Sequence, residues 1–196
     1  MNDKKQRCPW PGTDPLYVDY HDNVWGRPVY DDRELFEKLC LDGQQAGLAW
    51  ITILRKLDTY RQAYDQFEPT LIAQYDEAKV ELLLQDKGIV RNRLKVNSII
   101  RNAKAYLAYQ QNHGSFSDFL WQFVGGEPIV NHWTEMSQVP ATSVESDAMS
   151  KALKQAGFNF VGSTICYAFM QAVGMINDHL VGCHCYHQCA VPPKTP

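Results

Sequence analysis

The feature of this sequence that most constrains its fold is a pair of cysteine–histidine groups near the two ends of the chain. Cys8 precedes His21 by thirteen positions, and His179 precedes Cys183 by four positions. Two thiolates and two imidazoles make a complete ligand set for tetrahedral Zn2+ in a closed structural site. If one ion binds all four, the fold must bring the two ends of the chain together.

Further cysteine and histidine side chains near the C-terminus offer alternative ligands. They are His184, Cys185, His187 and Cys189. Ligand spacing favours His179 and Cys183. The start of the chain, MNDKKQRCPWPG, lacks the apolar stretch of a signal peptide. We therefore expect a reducing cytoplasm, where the six cysteines bind metal or stay as buried thiols rather than forming disulfides.

Apolar residues recur at helical spacing through most of the chain, which predicts an all-α fold. Clear stripes occupy residues 35–40, 50–57, 96–106, 148–156 and 165–173, and Asp31 and Asp32 can cap the first of them. No segment shows the alternation of a β-strand, and no apolar run approaches the roughly 20 residues of a transmembrane helix. With 196 residues, of which 45% are apolar, we expect one domain over 1–196 and no membrane span.

A cluster of aromatic residues around one acid is the main candidate for a binding site. Its members are Trp10, Tyr17, Tyr20, Asp42 and Trp50. Aromatic faces attract cations and stack on flat rings, and a carboxylate accepts hydrogen bonds from an exocyclic amine. The alternative is that these rings fill the core, which is how we interpret Trp25.

Residues 145–174 predict two helices joined by the sequence GFNFVG at 157–162. Gly157 and Gly162 would allow close backbone approach, and Ser163 or Thr164 would cap the second helix. The free N–H groups at that helix start form an anion site suited to a DNA phosphate.

Net charge does not by itself predict binding to nucleic acid, because it is −3. One stretch of fourteen residues is nevertheless basic and contains no acid: Arg91, Arg93, Lys95, Arg101 and Lys104. It is either a local basic face or a solvated helix face.

Together these motifs resemble the 3-methyladenine DNA glycosylase I family of the helix-hairpin-helix superfamily. The matching stretches are residues 14–17, 20–23, 43–51, 157–162 and 177–183. The resemblance runs from residue 8 to about residue 186 and implies a monofunctional enzyme. Such an enzyme excises 3-methyladenine from double-stranded DNA, releases the free base, and is expected to act as a monomer.

The resemblance also implies roles for individual residues. Cys8, His21, His179 and Cys183 would bind one structural zinc ion. Tyr20, Asp42 and Trp50 would hold the base together with Tyr17 and Trp10, and Tyr20 and Asp42 are the candidates for any catalytic role. Gln45, Gly47 and Leu48 would enter the DNA stack, and Gly157, Gly162 and Ser163 would contact the backbone. The family has glutamate where this chain has Asp42, which keeps the charge but loses one methylene of reach.

Two further points limit the chemistry that we expect. Asp178 lies in the region where many superfamily members place a catalytic aspartate, but its neighbour His179 is a predicted ligand, so a supporting role is expected. Ser163 and Thr164 stand where strand-cleaving relatives carry a lysine, so no Schiff base is expected.

Two other classes of protein share part of the pattern. A non-catalytic DNA-binding module held by zinc would leave a buried acid among aromatic rings unexplained. A zinc nucleobase deaminase would need H-x-E with P-C-x-x-C, and the sequence contains neither motif.

Overall fold

Helices form most of the chain, as the sequence predicts, in a computed structural model that describes residues 5–190. The ends of the predicted domain, residues 1–4 and 191–196, lie outside the described residues. The helices are α1 (Pro15–Asn23), α2 (Asp32–Gln45), α3 (Trp50–Leu54), α4 (Leu57–Ala63), α5 (Pro69–Ile72), α6 (Glu77–Gln85), α7 (Arg93–His113), α8 (Phe116–Trp121), α9 (Val144–Gln155), α10 (Ser163–Ala172) and α11 (Tyr186–Cys189). Short 3-10 turns cover Asp65–Phe67, Gln122–Val124 and Met136–Gln138.

Side-chain caps fix the starts of the long helices. The Asp31 carboxylate accepts hydrogen bonds from the backbone N–H groups of Arg33 and Glu34, at 3.0 and 2.9 Å, and thereby caps α2. Asp32 has a different role, because its carboxylate accepts from the N–H groups at the start of α8. Of the two predicted acids, Asp31 is therefore the cap of α2.

Helix α2 lies at the centre of the molecule and contacts α3, α7, α8 and α10. Leu35, Phe36 and Leu39 on this helix are fully buried, which confirms the predicted apolar stripe. Near the end of α2, a Cβ atom added to Gly43 would lie 3.0 Å from Cβ of Phe160 in the α9–α10 connector. A glycine at this position lets α2 approach the connector, and the end of α2 is where the candidate site begins.

A pair of very short parallel strands departs from the predicted all-helical pattern. Strand β1 (Ile129–Val130) pairs with β2 (Ile176–Asn177), with Ile129 opposite Ile176. Two residues are too few to show the alternation by which strands are recognised in a sequence. Strand β2 leads directly into Asp178 and His179 and fixes their positions.

Within residues 5–190, no helix combines the length and the apolar character that crossing a lipid bilayer requires.

Candidate functional site

A cavity of about 260 Å3 lies between α1, α2, α3 and α10. The structure brings all five members of the predicted aromatic–acid cluster to its wall: Trp10, Tyr17, Tyr20, Asp42 and Trp50. Trp25 also lines the cavity, so its interpretation as a core residue is wrong. Lys38 and Gln171 are further lining residues that the sequence analysis did not select.

The aromatic rings of the cavity pack edge to face around Trp10 and at a tilt around Tyr20. The Trp10 ring centroid lies 4.9 Å from that of Tyr17 and 5.1 Å from that of Trp25. Tyr20 lies 5.6 Å from Trp50, and burial raises the pKa of its hydroxyl well above the usual value. Tyr20 therefore stays protonated at neutral pH. The lining therefore offers aromatic surface to a flat ligand.

Asp42 is the acid of the cavity and is only 4% exposed. Lys38, one helical turn earlier on α2, donates a hydrogen bond from Nζ to Oδ1 of Asp42. Burial raises the pKa of Asp42 and lowers that of Lys38, and the attraction between the two groups opposes both shifts. Oδ2 of Asp42 is buried without a hydrogen-bond partner.

Two tryptophan N–H groups of the cavity share this lack of a partner. Nε1 of Trp10 and Nε1 of Trp50 are both buried and unpaired. Each such group costs about 1–3 kcal/mol when it is left without a partner. The residues that line the cavity thus include one unpaired acceptor, on Asp42, and two unpaired donors, on Trp10 and Trp50. Among the described residues the remaining buried atom of this kind is the Tyr64 hydroxyl, which is not among the lining residues.

Asp178 also lines the cavity, but its carboxylate is fully engaged. Oδ1 accepts hydrogen bonds from Asn131 Nδ2 and Trp133 Nε1, both at 2.7 Å. Oδ2 accepts from the Tyr167 hydroxyl at 2.5 Å and from Gln171 Nε2 at 2.8 Å. Four donors surround the two oxygens of Asp178, and those from α10 hold β2 against that helix. The carboxylate therefore has little hydrogen-bonding capacity left to accept a proton from water.

The four predicted metal ligands meet beside the cavity. Cys8, His21, His179 and Cys183 are all buried, and their ligand atoms lie within 4.8 Å of one another. Sγ of Cys183 is 3.6 Å from His21 Nε2 and 3.6 Å from His179 Nδ1, and Sγ of Cys8 is 3.7 Å from the same His179 nitrogen. This cluster could hold a metal ion, and it joins the two ends of the chain.

Hydrogen bonds to the outer nitrogens orient both imidazoles. His21 donates through Nδ1 to Oδ1 of Asp22 at 2.8 Å, and His179 donates through Nε2 to the backbone oxygen of Trp25 at 3.2 Å. Each ring then turns its other nitrogen toward the thiols, as metal-binding histidines do. A hydrogen bond from Arg7 holds the pKa of Asp22 well below its usual range, so this supporting carboxylate is ionised.

The alternative ligands are placed less favourably. His184 and Cys185 form a second group with His21 and Asp22, but the Asp22 carboxylate is already bonded by Arg7 and by His21 Nδ1. His187 and Cys189 belong to neither of the two groups found in the described residues.

The segment after α2 carries the residues predicted to enter DNA. Gly47 and Leu48 are exposed, Leu48 to 38%, and Gln45 donates a hydrogen bond to the backbone oxygen of Leu48. Lys95 anchors this segment to α7, because its Nζ donates to the backbone oxygens of Gln44 and Ala46 at 2.7 and 2.6 Å. An apolar side chain thus projects from a turn that is fixed at its base.

The basic stretch 91–104, most of which lies on α7, is therefore only in part a surface feature. Lys95 is 8% exposed, and Arg93 forms ion pairs with Glu77 and Glu81. Arg91, Arg101 and Lys104 remain exposed. Neither the local basic face nor the solvated helix face therefore describes Lys95, which is buried, and Arg93 is neutralised by its two acids.

Helices α9 and α10 and the connector 156–162 match the predicted pair of helices. Asn102 of α7 anchors the connector by accepting from the Asn159 N–H at 2.7 Å and donating to the Asn159 oxygen at 3.2 Å. The N-cap of α10 is Gly162, which has no side chain to cap the helix, so the predicted cap at Ser163 or Thr164 is wrong. Oγ of Ser163 instead bonds to Asp147 and Ser146 on α9. The first N–H groups of α10 remain free of side-chain caps.

Comparison with known proteins gives one consistent result. Residues 10–187 match the family model described as methyladenine glycosylase. DNA-3-methyladenine glycosylase 1 of Escherichia coli (strain K12) is 54% identical over 181 residues, which is 92% of this chain and 97% of that protein. A crystal structure of 3-methyladenine DNA glycosylase I (TAG) has a TM-score of 0.91 at 54% identity and covers 92% of this chain and 100% of that one. A tyrosine-to-phenylalanine variant of the same enzyme type, in complex with 3-methyladenine, has a TM-score of 0.89 at 38% identity, with 92% and 97% covered.

Proposed function

Since the chain belongs to the methyladenine glycosylase family, we propose that its acidic aromatic cavity receives the 3-methyladenine base. The enzyme excises this base from alkylated DNA by hydrolysing its N-glycosyl bond, a reaction of base excision repair. The observation that carries the assignment of the cavity is its set of unpaired buried polar atoms on Asp42, Trp10 and Trp50. The exocyclic amine of adenine can donate to Asp42, and the ring nitrogens can accept from an indole N–H.

The charge of the lesion explains why such a cavity can suffice for catalysis. Adenine methylated at N3 in DNA carries a positive charge on its ring and is already a good leaving group. The nucleotide must be flipped out of the duplex, and flipping costs less for a base whose pairing is impaired. Asp42 and the aromatic faces stabilise the cation while water attacks the sugar. Tyr20, which stays protonated, orients the base as a hydrogen-bond donor, and no side chain is required to take a proton from water.

We also propose that the cysteine–histidine cluster binds one structural Zn2+ through Cys8, His21, His179 and Cys183. Zn–S and Zn–N bonds of about 2.3 and 2.0–2.1 Å in a tetrahedron imply sulfur–nitrogen separations of about 3.6 Å. The three separations of 3.6–3.7 Å in the structure fit that requirement. The oriented imidazoles fit it as well. A bound zinc ion would supply a cross-link between the chain ends and would take no part in the reaction.

We propose that two elements of the structure bind DNA. We propose that α9, the connector and α10 form a helix-hairpin-helix unit, in which the first N–H groups of α10, near Gly162 and Ser163, bind a phosphate. The connector glycine Gly157 would let the backbone approach the duplex. Gln45, Gly47 and Leu48 would fill the gap left by the flipped nucleotide. We propose that the whole chain acts as one glycosylase domain, as a monomer in the cytoplasm.

Titration with free 3-methyladenine tests the assignment of the cavity, because three tryptophans line it and can report binding by fluorescence. We expect Trp50→Phe to bind the base about two- to tenfold more weakly, since it loses an indole N–H and part of the stacking surface. Trp121→Phe is the matched control, because Trp121 stacks on Tyr30 at 4.4 Å and is not among the lining residues. Equal affinities of the two variants would refute the assignment.

A further inference from the structure

We propose that Lys38 is a displaceable internal cation that competes with the methylated base for the cavity. Its Nζ donates to Asp42 and lies 3.9 Å from the centroid of the Trp50 ring. A carboxylate and an aromatic face are the two groups that the positively charged ring of adenine methylated at N3 in DNA is expected to contact. In the free enzyme Lys38 therefore already contacts the same carboxylate, through Oδ1, and the same ring. The inference rests on the proposed function of the cavity.

The competition follows from charge as well as from space. The Lys38 side chain is 16% exposed and its ammonium group is the partner that compensates the buried Asp42 carboxylate. A second cation placed against the same carboxylate would be repelled by the first. The lesion must therefore replace Lys38 at Asp42, and only the difference between the two interactions contributes to its affinity.

A neighbouring cavity provides a place for the displaced side chain. It has a volume of about 330 Å3, and Tyr20, Lys38 and Trp50 line both cavities. Two acids, Asp19 and Glu37, face this second cavity. Arg61 pairs with Glu37 at 2.7 Å, whereas Asp19 accepts a hydrogen bond from the neutral Asn23 amide at 2.7 Å. An ammonium that swings away from Asp42 thus turns toward a second cavity whose lining includes the acid Asp19.

The same exchange runs in reverse after excision. Cleavage of the glycosyl bond leaves the bonding electron pair on the base, which is then neutral, so the returning ammonium of Lys38 competes for Asp42 with a weaker partner and favours release of the base. In the empty enzyme Lys38 stabilises the fold, because an unpaired buried carboxylate is costly. Lys38 therefore acts as a positioning residue that increases the stability of the free enzyme and decreases its affinity for the base.

Lys38→Met tests this inference, because methionine has a similar length and no charge. We expect a lower midpoint of thermal unfolding, about tenfold tighter binding of 3-methyladenine, equivalent to about 1.4 kcal/mol, and faster excision from methylated duplex DNA at subsaturating enzyme. Lys79→Met is the matched control, because Lys79 lies 4.9 Å from the Tyr75 ring centroid and lines neither cavity. Its affinity and excision rate should equal those of the parent.

Opposite signs for stability and affinity separate the inference from a purely structural role. If Lys38→Met binds 3-methyladenine equally or more weakly, Lys38 serves only to hold Asp42 and the inference is overturned. Lys38→Gln provides the same comparison if the methionine variant does not fold. If Asp42→Asn binds the base as tightly as the parent does, it is the assignment of the cavity that fails, whatever Lys38 does.

Discussion

Replacing Asp42 by asparagine is the most informative perturbation of this site. The change keeps the shape of the side chain and removes its charge. Because Oδ2 of Asp42 is buried and unpaired, a donor supplied by the base would form a charge-assisted hydrogen bond there. We expect Asp42→Asn to bind free 3-methyladenine more weakly than the parent and to retain part of its excision activity.

The magnitude follows from the strength of that bond. A hydrogen bond to a charged group contributes about 1.5–3 kcal/mol, which corresponds to a roughly ten- to hundredfold change in affinity. The change also leaves the Lys38 ammonium without its carboxylate, so the free protein should unfold at a lower temperature. Removing one partner of a fully buried ion pair costs about 3–5 kcal/mol. The cost here should be smaller, because the 16% exposed Lys38 side chain can turn toward solvent.

The assay combines fluorescence titration with 3-methyladenine and single-turnover excision from methylated duplex DNA. Asp42→Glu is the companion variant, because it keeps the charge and extends the reach to that of the family, so it should match or exceed the parent. Unchanged affinity in Asp42→Asn would refute the proposed contact with the base. Complete loss of excision with affinity preserved would instead make Asp42 the base that activates water.

Three further predictions concern the rest of the molecule. Purified protein should contain one zinc ion per chain, and the Cys183→Ser variant should lose the ion and become less stable. Metal analysis that finds the parental zinc content in the variant would contradict the proposed ligand set. Gly162→Ala should weaken binding to lesion DNA but not to the free base. The added Cβ meets no atom within 4 Å, so the fold is kept, but it would cover the start of α10. Equal DNA affinity of variant and parent across a salt series would count against the phosphate site. Leu48→Ala should reduce excision from duplex DNA while binding of the free base, measured by fluorescence, stays at the parental value; an unchanged excision rate would remove Leu48 from the flipping step.

The helices that carry the site were predictable from sequence because their apolar faces repeat over many residues. The stripes on α2 and on α9 and α10 coincide with helices whose core residues are buried. The β1–β2 pair could not be found in this way, because each strand has two residues and its pairing depends on segments far apart in the chain. The predicted N-cap of α10 was wrong because the Ser163 hydroxyl donates a hydrogen bond to Asp147 on α9 instead of capping its own helix.

The composition of the cavity was predictable in part. The spacing and the family resemblance selected Asp42 and its aromatic neighbours, but not Lys38. A lysine four residues before an aspartate on a helix is usually a solvated ion pair, and only the burial of this pair against Trp50 gives it another meaning. Asp178 was ambiguous for a related reason, since the donors that occupy its carboxylate include Asn131 and Trp133, more than 40 positions away.

Helix α1 connects the cavity with the cysteine–histidine cluster. It turns Tyr17 and Tyr20 toward the cavity and His21 toward the cysteine–histidine cluster, and Trp10 follows Cys8 by two residues. A zinc ion bound as proposed would order this segment and thereby also one wall of the cavity. Binding free energies are reciprocal, so saturating 3-methyladenine should slow the extraction of metal by a chelator. Repair of alkylated DNA by this enzyme would then depend on the supply of zinc in the cell, although none of the four proposed ligands lines the cavity.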